Sequence, residues 1–166
     1  MAQVRAAESN DASDIRAVHV AAFPTTAEAD LVERLEAGGD AAISLVAEAE
    51  GRVVGHVLLS RMRVEAADGP VRALALAPVA VLPERQRRGI GGLLVRAALD
   101  GARAEGEAMA FVLGDPAYYA RFGFSAEAAA RFSSPYAGPH LMAARLGDAP
   151  TGAGKADYPP AFAAFE

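Results

Sequence analysis

The sequence predicts an α/β (α+β) fold in a single domain covering residues 1–166. Three observations carry this. Short apolar runs of strand length alternate with segments whose apolar residues repeat every three or four positions. Two strand-like runs flank a glycine-containing turn in the middle of the chain, as in a hairpin. A third apolar strand, ending at residue 81, runs through a proline and a glycine-rich turn into a helix. At this length one sizeable core is the expectation.

Taken in order, Gln3, Val4, Arg5 and Ala6 read as a first strand. Ser9, Asn10 and Asp11 offer N-caps for a helix. Ile15, Val18, His19 and Ala22 form its apolar stripe, so His19 reads as a packed structural residue. Phe23 and Pro24 break that helix. Thr25 or Thr26 caps a second, with Glu28, Leu31, Val32 and Leu35 on one face, and Gly38 and Gly39 end it. Residues 43–47 form a strand, 48–52 a turn, and 53–60 its partner, continuing toward Val64. Residues 65–70 read as a polar loop, punctuated by Asp68, Gly69 and Pro70. Residues 71–81 read as a strand interrupted at Pro78, because proline cannot donate to a ladder.

After the glycine turn, Ile90, Leu93, Leu94, Ala97, Ala98 and Ala102 define a helix face. Residues 108–113 form a short buried strand. Pro116 suits the first turn of a short helix carrying Tyr118, Tyr119 and Phe122. Residues 125–139 read as loop, 141–146 as a last strand and 147–155 as a mobile loop. Tyr158, Pro159, Pro160, Ala161 and Phe162 form an apolar tail expected to dock on the body.

Composition narrows the function classes. The chain has no cysteine, which rules out disulfide and thiolate chemistry and suits a reducing, cytoplasmic setting. Its three histidines, His19, His56 and His140, are far apart, so no metal site is expected. A net charge of −5 argues against a nucleic-acid partner and mildly favours a cationic one. No apolar run reaches membrane-spanning length, and no secretory signal is expected.

The glycine turn carries the chemistry. Gln86, Arg87, Arg88, Gly89, Ile90, Gly91 and Gly92 open a helix whose first backbone N–H groups have no helical acceptor. Such an end binds anions, phosphates above all. Leucines follow Gly91 and Gly92, so the Lys-Ser/Thr of a P-loop is missing. Leu94 stands where a dinucleotide loop has its third glycine. A plain strand–helix turn with solvated arginines is the bland alternative.

The segment Gln86-Arg87-Arg88-Gly89-Ile90-Gly91 resembles the Q/R-x-x-G-x-G/A signature of the GNAT superfamily of N-acetyltransferases. Residues 118–124, Tyr-Tyr-Ala-Arg-Phe-Gly-Phe, resemble that family's F-Y-x-x-x-G-F segment. Gly114, Asp115 and Pro116 before it, with the terminal Tyr-Pro-Pro-Ala-Phe, are similar to a bacterial subgroup of predicted N-acetyltransferases. The resemblance covers nearly the whole chain. It implies a mixed, mostly antiparallel twisted sheet, splayed at a β-bulge and flanked by helices. It further implies acetyl-CoA as acyl donor and a primary amine of a small molecule or peptide as acceptor, joined by direct transfer in a ternary complex. Val79, Ala80 and Val81 would pair with the pantetheine arm, and Gln86 to Gly92 would cradle the pyrophosphate.

Tyr119 is then the candidate general acid, and a packing role beside Phe122 and Phe124 is its alternative. Glu28 is the candidate for holding the acceptor amine, and a helix-starting glutamate is its alternative. No acid lies in residues 74–81, so the general base is unassigned. The resemblance leaves a homodimer open. The competing function is a non-catalytic acyl-CoA-binding sensor, which would keep the glycine loop and not need Tyr119.

Overall fold

The computed structural model describes residues 1–148 and 152–165. The chain divides into two compact units, residues 1–59 with 78–98, and residues 60–77 with 99–166.

In the first unit β1 (Gln3–Ala6) lies antiparallel to a strand at residues 41–49, with Val4 opposite Ala47. Between them come a 3-10 turn at Ser9–Asp11, α1 (Ala12–Ala22) and α2 (Ala27–Ala37). Asp11 precedes α1 without capping it through its side chain. Its carboxylate instead accepts from Glu8 N at 2.8 Å and from both terminal nitrogens of Arg5 at 2.8 and 3.0 Å. Glu48 takes the same guanidinium at 2.9 Å. The hydrogen bonds from Arg5 hold the buried Asp11 carboxyl down at about 2. Phe23 ends α1 in an extended conformation, as the residue before a proline prefers. Thr25 Oγ accepts from Ala27 N at 3.2 Å, so the earlier of the two expected threonines makes the cap-like bond.

The next strand, β2 (Ala41–Ala49), turns into β3 (Arg52–Arg61) through Glu50 and Gly51 alone. Both are left-handed, with φ of 55° and 73°. That is the two-residue hairpin geometry whose twist matches the flanking strands. The turn is therefore shorter than the five residues expected.

The second unit begins with β4 (Arg63–Ala66) and β5 (Gly69–Val71), an antiparallel pair where a polar loop was expected. Val64 and Val71 oppose each other and point into an apolar cluster with Phe111, Phe132 and Leu141. Pro70 is tolerated because β5 is an edge strand. The long strand β6 (Ala73–Val81) is not interrupted at Pro78. Its pairing with β7 (Met109–Leu113) is parallel and covers only Ala73 to Ala75, opposite Met109 to Phe111. Pro78 lies past the end of that register, so it costs no ladder bond there.

Helix α3 (Ile90–Ala104) buries Ile90, Leu94, Val95, Ala98, Leu99 and Ala102. Leu93, expected on that face, is exposed, and Val95 and Leu99 take its place. After β7 come α4 (Pro116–Tyr119), a 3-10 turn at Ala120–Phe122, and α5 (Ala126–Ala129), whose N-cap Ser125 accepts from Ala128 N at 3.2 Å. Strands β8 (Phe132–Ser133), β9 (Leu141–Arg145) and β10 (Gly154–Asp157) complete the unit. So α5 and β8 occupy part of the expected loop at 125–139. Lys155, expected in a mobile loop, is in β10, while residues 149–151 of that loop lie outside the described residues. The C-terminal tail forms a 3-10 turn at Pro160–Phe165 with Phe162 buried. Tyr136 donates to the Phe162 carbonyl at 2.9 Å, and Tyr158 packs edge-on against Tyr136 and Phe162.

Six strands hydrogen-bond in the order β1-β2-β3-β6-β7-β9, and four more in the order β5-β4-β10-β8. Strands β7 and β9 are antiparallel along the whole of β7. The main sheet is thus mixed and mostly antiparallel.

Candidate active site

The loop after β6 is built to present backbone amides. A 3-10 turn at Pro83–Arg85 follows the strand, and Gln86 is extended. Gln86 Nε2 donates to the Val81 carbonyl at 2.9 Å and braces the strand end against the loop. Arg87 is left-handed with φ 65°, and Gly89 with φ 82°. A left-handed arginine is uncommon and costs free energy unless its surroundings hold it there. Two such residues flanking Arg88 turn successive N–H groups to one side, a concave anion nest. Among the described residues the amides of Arg87, Arg88 and Gly89 donate to no other backbone group. The amides of Ile90, Gly91 and Gly92 fall in the first turn of α3, where helical acceptors are missing.

Arg87 and Arg88 are exposed, whereas Arg85 is tied to Glu50 at 3.0 Å. Arg85, Arg88, Gly89, Ile90 and Leu93 also line an open cleft of about 240 Å³. Upstream, Val79 is half-buried, and Ala80 and Val81 are buried.

Tyr119 ends α4. Asp115 starts that helix by accepting from Ala117 N at 3.0 Å with its side chain and from Tyr119 N at 3.0 Å with its carbonyl. The Tyr119 ring packs edge-on against Tyr118 and Phe124, with centroids 5.0 and 5.8 Å away. It also lies on Gly114, where a Cβ would stand 2.6 Å from its Cε2. Any side chain at 114 displaces the phenol. The hydroxyl makes no hydrogen bond among the described residues, and burial pushes its pKa up to about 12. It holds its proton throughout the neutral range, and it is a weaker acid than the sequence expectation of about 10. Arg121 stacks over the Tyr118 ring at 4.7 Å.

Glu28 lies in the first turn of α2, half-buried beside the buried face of Ala29, Leu31, Val32 and Leu35. Its Oε1 is shielded from solvent and has no hydrogen-bond partner among the described residues.

His19 is buried as expected, but not on a purely apolar stripe. Its Nε2 meets His56 Nδ1 at 2.9 Å, and His56 Nε2 meets Ser44 Oγ at 2.9 Å. Burial lowers both imidazoles, His19 to about 4. A lowered folded-state pKa means the fold takes up fewer protons than the unfolded chain, whose histidines titrate near ~6.5. The stabilisation is therefore full above about pH 6.5 and lost as pH falls toward 4. Asp11 adds its own loss only below the ordinary carboxylate range. We expect the urea midpoint to fall between pH 7 and pH 4.5. A flat midpoint over that window contradicts this account of the pair.

The acetyltransferase (GNAT) domain family matches residues 3–126. The chain belongs to this GNAT family. The uncharacterized N-acetyltransferase YjhQ of Escherichia coli is 43% identical over 120 residues, which is 70% of this chain and just under two thirds, 66%, of YjhQ. A crystal structure of the GNAT-family N-acetyltransferase YhbS from Escherichia coli in complex with CoA matches with a TM-score of 0.88 and 32% identity, covering 99% of this chain and 93% of that one. A GNAT-family acetyltransferase from Brucella melitensis in complex with acetyl-CoA matches with a TM-score of 0.80 and 34% identity, covering 98% of each chain.

The expected GNAT fold is therefore present. The β6–β7 register ends at Ala75, and β6 continues to Val81 beside β3. Among the described residues no cluster of metal-ligating side chains occurs, and no helix is long and apolar enough to cross a membrane. Sequence reasoning missed Gly114 as the seat of Tyr119, and it missed the His19–His56–Ser44 chain. Neither leaves a local signal, because the partners are 5, 37 and 12 positions apart and set by tertiary packing.

Proposed function

We propose that this GNAT protein transfers the acetyl group of acetyl-CoA directly to a primary amine of a small molecule or peptide, within a ternary complex. The observation that carries the donor side is the pair of left-handed residues, Arg87 and Gly89, at the mouth of α3. Their amides suit the pyrophosphate. Val79, Ala80 and Val81 present strand backbone to the pantetheine arm. Arg88 offers a fork for a phosphate. The YhbS complex with CoA and the Brucella melitensis complex with acetyl-CoA support this ligand class.

On the acceptor side Glu28 holds the ammonium. Its unpartnered, shielded oxygen is the supporting observation. A buried carboxylate oxygen without a partner is costly, and a cationic substrate supplies the missing partner. The protein's net charge of −5 adds a weak long-range attraction for cations. Tyr119 supplies the proton that the departing thiolate takes up. The chain has no cysteine for an acetyl-cysteine intermediate, which favours direct attack over a two-step route.

Two-substrate initial rates test this reading. Direct transfer gives intersecting double-reciprocal lines, whereas an acetyl-enzyme gives parallel ones. In the same experiment Glu28→Gln keeps the shape and removes the charge. We expect it to raise the KM for the amine roughly tenfold, about 1.4 kcal/mol of lost charge-assisted bonding, with the KM for acetyl-CoA and the melting temperature unchanged. Parallel lines defeat the ternary complex, and an unchanged amine KM removes Glu28 from the site.

A further inference from the structure

The direct-transfer reading leaves one role unfilled, because the amine must lose a proton before it attacks and no residue yet takes it. We propose that His140 is the general base, acting through its Nε2. The proposal rests on the direct-transfer reading above.

Gly114 is the residue that follows β7. It is held to His140 by two bonds. Gly114 N–H donates to the His140 carbonyl at 3.0 Å, and His140 Nδ1 lies 3.1 Å from the Gly114 carbonyl oxygen. A carbonyl can only accept, so the hydrogen sits on Nδ1. In the neutral ring that fixes Nε2 as a bare lone pair, the tautomer a base requires.

Position and access agree with that chemistry. His140 is exposed, unlike His19 and His56, which are fully buried and bonded to each other. It is bonded to the residue on which the Tyr119 ring rests, since a Cβ at Gly114 would stand 2.6 Å from that ring. One glycine therefore seats both the proposed acid and the proposed base. A glycine is required there because any side chain would push the phenol away from the strand end that carries the imidazole. Pro139 immediately before His140 has a fixed φ and limits the backbone that aims the ring. Among the described residues no other group bonds this imidazole, which leaves Nε2 open to a substrate.

The proton accounting closes. Nε2 takes one proton from R–NH3⁺ and later releases it to water. The neutral nitrogen attacks the thioester carbon, the C–N bond forms and the C–S bond breaks. The sulfur leaves as a thiol with the Tyr119 proton. The second proton on nitrogen returns to the Tyr119 oxygen. Net, one ammonium and one thioester give one amide, one thiol and one proton in solution.

The test separates a base from a strut. Asparagine at 140 places an amide N–H where Nδ1–H was and carries no basic nitrogen. Under amine-saturated conditions we expect His140→Asn and His140→Ala both to lower kcat ~10²–10⁴-fold, with acetyl-CoA binding by calorimetry and melting temperature like the parent. Added imidazole should restore part of the His140→Ala rate and leave Tyr119→Phe unchanged. A His140→Asn enzyme within a few fold of the parent makes His140 a strut only and overturns the proposal. So does a loss in both variants that imidazole does not relieve. A parent enzyme that binds acetyl-CoA yet acetylates no amine overturns the direct-transfer reading itself, before any variant is compared.

Discussion

Tyr119→Phe should lower turnover ~10²–10⁴-fold and leave acetyl-CoA affinity nearly unchanged. The substitution keeps the ring, which packs against Tyr118, Phe122 and Phe124 and fills the space over Gly114. Only the hydroxyl is lost, and it makes no hydrogen bond among the described residues, so the fold loses nothing through it. Burial raises this phenol to about 12, so it stays protonated at every pH at which the protein is handled. The rate should therefore show no loss from Tyr119 ionisation between neutral pH and about 10. Single-turnover kinetics by rapid quench read the chemical step directly. An unchanged single-turnover rate in the variant would make Tyr119 a packing residue and move the acid elsewhere.

The second large effect is at the glycine loop. A valine at Gly91 puts a branched side chain on the first turn of α3, over the amides proposed to meet the pyrophosphate. Removing two amide–phosphate bonds of about 1.5 kcal/mol each weakens binding roughly 100-fold. At Gly89 the effect should be larger, because φ of 82° is a conformation that a β-branched residue avoids. Calorimetric titration with acetyl-CoA, beside melting curves for each variant, distinguishes a blocked cradle from a damaged fold. Equal affinity in parent and Gly91→Val would remove the basis for placing the pyrophosphate there.

These two sites differ in how far the sequence reveals them. The loop is legible because glycines, a helix period and a preceding apolar strand lie within sixteen residues, and each acts locally. Its sharpest feature is not legible. Nothing in the letter Arg87 announces a left-handed backbone, since arginine seldom adopts one. The hairpin from β2 to β3 is legible as a hairpin but not in length, because Glu50 shares the left-handed turn with Gly51.

Strands β8 and β10 escape for another reason. Two and four residues are too short to show a period, and β10 pairs with β8 across 22 positions and with β4 across about 90. Gly154 reads as loop punctuation, yet it sits in β10 where any side chain would collide with the Glu65 carbonyl. Pro78 reads as a break, yet β6 passes through it because its register with β7 has already ended. The Glu28 oxygen, the Gly114 seat and the His140 bond are all tertiary facts. Helix-face spacing nominates Glu28 and the family-like segment at 118–124 nominates Tyr119, but neither ranks His140 above His19 or His56.

The central claim is that this chain moves an acetyl group from CoA to an amine. The most direct measurement mixes the protein with acetyl-CoA and a panel of primary amines, following free thiol and the acetylated amine together. The account predicts thiol released in step with a matching amide for at least one amine, at a rate that falls in Tyr119→Phe. Tight acetyl-CoA binding with no thiol above the amine-free control, for any amine tried, would contradict it and leave a domain that senses acyl-CoA without using it.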